Sequence, residues 1–212
     1  VLVKTIVTVD LAERIAEHYG VETRNVLTGF KYIGEQIGLL EKAGEERRYL
    51  FGFEESYGYL TGTYVRDKDG VDGAVMICEM FSFYAARGIR LTDQLAKLYE
   101  RYGYCRNTLH SYQFEGSAGF ARMQGIMAAF RQGISTFGGK TVEKVLDYSS
   151  GLDGLPKADV LKFYLDGGTT LVVRPSGTEP KLKLYLSVTA KDEAEAARIE
   201  QAILNDAEVY FR

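Results

Sequence analysis

The segment RPSGTEPKLKLYL, residues 174–186, gathers several groups that bind anions into one short turn. Arg174 supplies a guanidinium that can pair with two oxygens at once, and Lys183 supplies an ammonium on the open face of the following strand. The hydroxyls of Ser176 and Thr178 stand on either side of Gly177, which allows backbone N–H groups to point inward. This spacing predicts a site for a small anion. An ordinary hairpin loop with exposed polar residues is the alternative.

A second stretch with chemical potential is FGFEESYGYLTG, residues 51–62. It places adjacent carboxylates, Glu54 and Glu55, before Ser56 in a loop of glycines and tyrosines. Carboxylates accept hydrogen bonds from hydroxyl groups, and tyrosine rings offer flat apolar faces, so the composition suits a polyol such as a sugar. The alternative is a solvated acidic loop. A glycosidase pair is disfavoured, because adjacent side chains diverge whereas that chemistry needs two carboxylates about 5 Å or more apart across one bond.

A third stretch is TGFKYIGEQ, residues 28–36, in which Lys31 follows a glycine at the start of a predicted helix. The N–H groups and the dipole of a helix N-terminus favour an anion or a polar ligand. The alternative is that Lys31 is an ordinary surface lysine.

The elements that must position these residues follow from local patterns. VLVKTIVTV predicts a strand, and Asp10 with Glu13 resembles a capping box at the start of the next helix. Helical spacing in the following helix is shown by four apolar residues: Phe30, Ile33, Ile37 and Leu40. The apolar segment at residues 70–88 predicts a largely buried helix. The first part of the chain therefore begins as a β-α unit.

The second part of the chain, beyond about Gly103, predicts an α+β unit with an antiparallel sheet. Strands are expected on both sides of the 174–180 turn, with one buried face formed by alternating residues: Leu182, Leu184, Leu186 and Val188. An amphipathic helix is expected after them. The final AEVYFR is open between a frayed tail and an added strand.

Composition narrows the class of protein. The 212 residues are 46% apolar and 26% charged, which is typical of a globular protein with room for one large or two ordinary domains. A net charge of −3 gives no general attraction to nucleic acid or to an anionic membrane, so neither is expected as a partner. No apolar run is long enough to span a bilayer, and the expected location is the cytoplasm. The opening without methionine suggests a removed upstream segment.

Cysteine and histidine offer little further chemistry. Cys78 and Cys105 stand in no metal or redox spacing and are expected to be buried free thiols. His18 and His110 lie far apart, which leaves little material for a zinc site or a Ser-His-Asp triad.

Taken in order, TGFKYI, GFEESYG, VRDKDGVDG and RPSGTEP resemble the motifs of the α-D-phosphohexomutase family, which includes phosphoglucomutase and phosphomannomutase. The resemblance spans almost the whole chain and is closest to the phosphoglucomutase branch. One departure is Phe53, which stands before the two glutamates where many members have glycine.

The resemblance implies a reaction and a fold. In the family a phosphoserine donates its phosphoryl group to a hexose phosphate, and the hexose 1,6-bisphosphate reorients and returns the other phosphoryl group with the help of Mg²⁺. This interconverts hexose 1-phosphate and hexose 6-phosphate. The chain resembles the third domain, an α/β mixed-sheet domain at residues 1–103. It then resembles the fourth, a TATA-binding-protein-like α+β domain with an antiparallel sheet at residues 104–212.

The resemblance also implies what the chain lacks and what it binds. Serine and metal loops of the TASHNP and DGDGD types are missing from the sequence, so no catalytic residue and no metal ligand is expected, and the chain should be inactive without the N-terminal domains. The sugar hydroxyls would be bound by Glu54 and Ser56, with Lys31 in the specificity loop. The phosphate that is not transferred would be bound by the closing loop: Arg174, Ser176, Gly177 and Thr178. A stand-alone sugar-phosphate-binding or regulatory module and a preference for mannose remain alternatives.

Overall fold

The computed structural model of the chain describes residues 1–177 and 179–211. The chain divides into two compact units, Val1–Gly103 and Tyr104–Arg212.

The first unit is a four-stranded sheet with helices. Its strands and helices are β1 (Leu2–Thr5), α1 (Leu11–His18), β2 (Thr23–Val26), α2 (Phe30–Lys42), a 3₁₀ turn (Glu46–Arg48), β3 (Phe51–Glu54), β4 (Gly58–Leu60), α3 (Gly70–Ala85) and α4 (Leu91–Tyr102). The strand order is β2-β1-β3-β4, in which β1 is parallel to both β2 and β3, and β4 is antiparallel to β3. This is the mixed sheet expected for an α/β domain.

The core of the first unit forms where α2 lies against the sheet. The four apolar residues predicted at helical spacing are all buried: Phe30, Ile33, Ile37 and Leu40. Ile33 packs directly over β3, since a Cβ added at Gly52 would lie 2.5 Å from its side chain. Glycine is therefore required at this point of the strand for α2 to approach, and each fully buried aliphatic side chain contributes roughly 1.5–3 kcal/mol.

The helix α3 contradicts the prediction that residues 70–88 are largely buried. Gly73 is its only buried residue, and Val75, Ile77 and Phe81 are 52%, 52% and 60% exposed. The helix contacts β4 near Tyr59, whose ring lies 3.3 Å from the position of a Cβ at Gly73. Because the helix carries apolar residues on every side, their pattern in the sequence does not indicate which face is covered.

The second unit is a six-stranded antiparallel sheet with two helices. Its elements are β5 (Tyr104–Gln113), α5 (Gly116–Arg131), β6 (Thr136–Phe137), β7 (Lys140–Asp147), β8 (Leu161–Leu165), a 3₁₀ turn (Asp166–Gly168), β9 (Thr169–Pro175), β10 (Lys181–Ala190) and α6 (Glu193–Phe211). The strand order is β5-β10-β9-β8-β7-β6. Together the two sheets confirm the predicted fold class.

One face of this sheet carries the core of the second unit. The alternating residues of β10 predicted to be buried are 0–2% exposed, and they share a cluster with residues of α5 and α6 such as Met127, Phe130 and Ile203. The opposite, helix-free face holds the other residues of each strand. The strands predicted on both sides of the 174–180 turn and the helix predicted after them are confirmed as β9, β10 and α6, whereas β6, β7 and β8 were not predicted.

The strand β7 lies in a glycine-punctuated stretch for which no strand was predicted. Gly138 and Gly139 both have positive φ, 57° and 75°, and form the turn between β6 and β7. Gly138 also lies under α6, because a Cβ there would be 2.7 Å from the backbone nitrogen of Ile203. The strand was missed because none of its side chains is buried and half of them are charged.

Smaller expectations had mixed outcomes. The tail as far as Phe211 is neither frayed nor a strand: α6 continues to Phe211, whose ring stacks on Tyr112 with centroids 4.0 Å apart. Arg212 lies outside the described residues. Both cysteines are free, but Cys78 is exposed and only Cys105 is buried as expected. No helix in the described part of the chain is both long and apolar enough to cross a membrane.

Candidate functional site

The carboxyl edge of the first sheet collects two of the three predicted chemical stretches. The strands β1, β2 and β3 are parallel, so their carboxyl ends, at Thr5, Val26 and Glu54, share one edge. From β1 the chain passes to β2 on one side, and from β3 it passes to β4 on the other. In open α/β sheets, ligands bind at such a switch point between adjacent strands, here β1 and β3.

At this edge Glu54 lies beside the start of α2. It ends β3 and pairs with Gly58 across a hairpin whose three turn residues are Glu55, Ser56 and Tyr57. A Cβ at Gly58 would lie 2.8 Å from Oε1 of Glu54 and 3.0 Å from the ring of Phe30, the first residue of α2. The structure therefore brings the glutamate of the predicted sugar loop next to the TGFK stretch.

The other two residues predicted to bind the sugar lie at the same edge. Lys31 is exposed in the first turn of α2, with Nζ 4.9 Å from the centroid of the Tyr32 ring. The helix begins after Gly29, whose φ of 118° is suited to glycine. Ser56 is exposed in the hairpin, next to Tyr57, a non-glycine residue with φ of 63°. Lys31, Glu54 and Ser56 thus surround one open edge of the sheet.

Glu55 faces a different environment from its neighbour Glu54. Its Oε2 accepts hydrogen bonds from the hydroxyls of Thr5 (3.0 Å) and Thr8 (3.3 Å), and the two hydroxyl oxygens are 2.7 Å apart. Both threonines are buried. Sequence reasoning did not select them, although TIVT places one hydroxyl at the end of a buried strand and another three residues later, which is a recognisable pattern for a polar site.

A buried lysine holds the loop that carries Thr8. Lys4 is 0% exposed, and its Nζ donates to the carbonyl of Thr8 (2.9 Å) and to Oδ1 of Asp10 (3.1 Å). It also forms an ion pair with Glu13, at 2.9 Å. Asp10 therefore does not act as the predicted helix cap: its side chain makes no capping hydrogen bond, because it pairs with Lys4 instead.

In the second unit Arg174 and Lys183 lie directly opposite each other on β9 and β10. Both belong to the helix-free face, since their neighbours Val173, Leu182 and Leu184 are in the core. Like charges directly opposite on neighbouring strands destabilise a sheet, because their side chains are within about 5 Å at Cβ. The same closeness lets both cations reach one anion on this face.

The same face carries further positive charge. Lys162 of β8 is opposite Val172, and its Nζ lies 5.2 Å from the ring centroid of Tyr164. Among the described positions of β8, β9 and β10 that point to this face, none is acidic. Sequence reasoning missed Lys162, because the strand pairing that puts it near Arg174 is not local.

The turn between β9 and β10 corrects one part of the anion-site prediction. The N–H of Ser176 donates to the carbonyl of Lys181 at 2.7 Å, so it closes the hairpin instead of pointing to an anion. Gly177 is exposed, has no left-handed φ, and leaves open space where a Cβ would stand. Thr178 lies outside the described residues. The hydroxyl of Ser176, half-buried beside Arg174, stays a predicted ligand.

Metal binding has no support in the described part of the chain. Residues 1–177 and 179–211 contain no group of three or more His, Cys, Asp or Glu side chains placed to hold a metal ion. The Mg²⁺ implied by the resemblance therefore does not fit the residues described, and no chemical step is assigned to it.

Comparison with known proteins decides the family. Residues 1–102 match the family model "Phosphoglucomutase/phosphomannomutase, alpha/beta/alpha domain III", and residues 114–206 match "Phosphoglucomutase/phosphomannomutase, C-terminal domain". The chain belongs to the phosphoglucomutase/phosphomannomutase family. This confirms the resemblance drawn from the four motifs, including their assignment to the third and fourth domains.

Curated relatives include other members of the phosphoglucomutase/phosphomannomutase family. The phosphoglucomutase of Staphylococcus epidermidis is 36% identical over 222 residues, which cover 97% of this chain and 39% of the relative. That of Staphylococcus aureus strain MRSA252 is 35% identical over 216 residues, covering 96% and 38%. The chain thus spans about two fifths of the length of these relatives.

Solved structures agree on the fold of the family. The parafusin (phosphoglucomutase) of Paramecium, in its open form, matches with a TM-score of 0.71 at 18% identity. The match covers 99% of this chain and 37% of the parafusin chain. A putative phosphomannomutase of Thermus thermophilus has a TM-score of 0.61 at 19% identity, covering 98% and 35%. At these identities the likeness concerns the fold alone.

Proposed function

We propose that this chain is the substrate-holding part of a phosphohexomutase that interconverts hexose 1-phosphate and hexose 6-phosphate through a phosphoserine and a hexose 1,6-bisphosphate. The proposal rests on one observation above the others, the register that sets the cations Arg174 and Lys183 directly opposite each other on one face of β9 and β10. Membership of the family and the close approach of Glu54 to the TGFK stretch support it.

Each unit has its own task in this proposal. In the second unit Arg174 and Lys183 bind the phosphate that is not transferred, and the loop supplies Ser176, Gly177 and Thr178. Charge-assisted hydrogen bonds to a phosphate are shorter and stronger than neutral ones, and a guanidinium can contact two oxygens. In the first unit the carboxylate of Glu54 and the hydroxyl of Ser56 bind sugar hydroxyls, with Lys31 beside them.

The chain's contribution to catalysis is binding and orientation. Phosphoryl transfer is accelerated mainly by positioning and charge stabilisation. Residues that bind the sugar and the phosphate that is not transferred therefore help to position the reacting oxygen, although they do not contact the reacting bond. The nucleophile, the Mg²⁺ site and the remaining partners belong to N-terminal domains of the same protein. The 212-residue chain by itself is then inactive. Isomerisation of glucose 1-phosphate by the pure chain would contradict this.

A titration with glucose 1-phosphate tests the phosphate site. Arg174→Ala removes the charge-assisted contacts and should weaken binding by about 1.5–3 kcal/mol, which is roughly 10- to 150-fold. The matched control is Arg198→Ala, because Arg198 is an exposed arginine of α6. The measurement is the dissociation constant from amide chemical shifts in NMR spectra. Equal affinity in the Arg174 variant and the wild type would refute the phosphate site.

A stand-alone sugar-phosphate-binding module is the second candidate. The match of the chain to two separate domain models, at residues 1–102 and 114–206, is the observation that favours it. The encoding reading frame decides: serine and metal loops upstream support the mutase, and their absence supports the module. A parallel titration with mannose 1-phosphate compares the two sugar preferences.

A further inference from the structure

We propose that Glu55 is a positioning residue for the sugar loop: the buried hydroxyls of Thr5 and Thr8 hold its carboxylate, and this keeps Glu54 and Ser56 in place for the sugar. The inference deepens the proposed function and rests on it. It assigns different roles to two adjacent glutamates, one that contacts the ligand and one that fixes the loop.

Two buried hydroxyls and the carboxylate of Glu55 form one hydrogen-bonded cluster. Three oxygens, from Thr5, Thr8 and Glu55, make contacts of 2.7, 3.0 and 3.3 Å. Each hydroxyl carries one proton, and a carboxylate only accepts, so at most two of the three contacts are hydrogen bonds at any moment. Because only one proton can occupy the contact between the two hydroxyls, two protons that both point into the cluster give the carboxylate at least one hydrogen bond. That bond to Glu55 is charge-assisted.

The donors, Thr5 and Thr8, are buried, whereas the acceptor, Glu55, is on an exposed hairpin. Thr5 is 0% and Thr8 is 3% exposed. The carbonyl of Thr8 is itself bound by the buried ammonium of Lys4, which also pairs with Asp10 at the start of α1. Glu55, by contrast, is an exposed turn residue. The buried end of β1 thus fixes the exposed part of the site.

The backbone of the hairpin is strained at Tyr57. Its φ of 63° is a left-handed conformation that is unfavourable for a non-glycine residue. Such a conformation persists only where neighbouring contacts compensate for it. The contact of Glu55 with β1 lies two residues before Tyr57, and Glu54 diverges toward Phe30 on the α2 side. Releasing Glu55 should let the turn relax and move Glu54 away from Phe30.

The experiment compares four variants of the full 212-residue chain. Glu55→Ala removes the carboxylate from both threonines, whereas Thr5→Val removes one of its two donors and leaves Thr8. Thr5→Ser keeps a hydroxyl, and Glu35→Gln is the control because Glu35 is an exposed glutamate of α2. Two quantities are measured for each: the amide shifts and hydrogen exchange of residues 56–58 without ligand, and the dissociation constant for glucose 1-phosphate.

The expected result is that Glu55→Ala speeds hydrogen exchange at residues 56–58 and weakens glucose 1-phosphate binding by about 10-fold. Thr5→Val should change both quantities in the same direction by less, because Thr8 still donates to the carboxylate. Thr5→Ser and Glu35→Gln should resemble the wild type. A double variant, Glu55→Ala with Thr5→Val, should add little to Glu55→Ala alone, because the carboxylate is then already absent.

The ligand-free measurement separates the inference from the proposed function. If residues 56–58 are unchanged in Glu55→Ala and in Thr5→Val, the positioning role is overturned whatever the ligand does. If they change and glucose 1-phosphate affinity does not, Glu55 shapes the hairpin but the hairpin does not bind the sugar, and the inference is likewise overturned. If neither the wild type nor Arg174→Ala responds to the ligand, the proposed binding by this chain fails, and the inference falls with it.

Discussion

Replacing Lys4 with methionine should destabilise the first unit strongly. Methionine fills a similar volume but leaves Asp10, Glu13 and the carbonyl of Thr8 without their donor. Removing one partner of a buried ion pair costs about 3–5 kcal/mol. The side chains of Asp10 and Glu13 are 17% and 36% exposed, so water compensates in part, and a loss of about 2–4 kcal/mol is expected. For a unit of this size the melting temperature should fall by on the order of 10–20 °C.

Thermal unfolding followed by circular dichroism measures this loss. The matched control is Lys42→Met, an exposed lysine of α2, which should change stability by less than about 0.5 kcal/mol. The triple variant Lys4→Met, Asp10→Asn, Glu13→Gln removes the uncompensated charges and should recover at least about 1 kcal/mol. A Lys4→Met variant as stable as its control, or a triple variant no more stable than Lys4→Met, would refute the reasoning.

Three further predictions concern the second unit. Burial opposes the charged form of Glu200, but hydrogen bonds from Thr108, Arg106 and His110 outweigh it and lower the pKa of this carboxyl below its ordinary 4.5. The stability that the ionised Glu200 contributes is present above pH 4.5 and is lost as the pH falls through the lower pKa of the folded state. Glu200→Gln should therefore lose less stability than the wild type between neutral and acid pH, as measured by urea unfolding. An unchanged dependence of stability on pH would contradict this prediction. Gly138→Ala should lower the free energy of unfolding by about 1–3 kcal/mol, because the new methyl group would combine a left-handed φ with a clash under α6. The control Gly125→Ala should not lower it, because no atom lies within 4 Å of a Cβ at that position. Lys162→Met should weaken glucose 1-phosphate binding less than Arg174→Ala does, since it removes charge near the phosphate but no direct contact; an equal or greater loss in titration would place Lys162 in the site itself.

Much of the fold could be predicted from local pattern. The alternation of leucines in β10 and the helical spacing of apolar residues in α2 both report a buried face directly, because one side of each element is covered and the other is not. The pattern failed where that condition fails. In α3 apolar residues lie on every side, and in β7 no side chain is buried, so neither sequence shows the period of its structure.

The candidate site shows the same division. By residue type and order, the sequence alone determined the motifs of the site and its chemistry: an arginine and a lysine flanking a tight turn, and a pair of glutamates before a serine. Only the tertiary structure decided how these residues are used. It set Lys183 opposite Arg174. It also placed Glu55 where it accepts hydrogen bonds from Thr5 and Thr8, and Glu54 beside Phe30. The partners of Glu55 are 50 and 47 residues away in the chain, and strand order and register, not local spacing, bring such groups within hydrogen-bond distance.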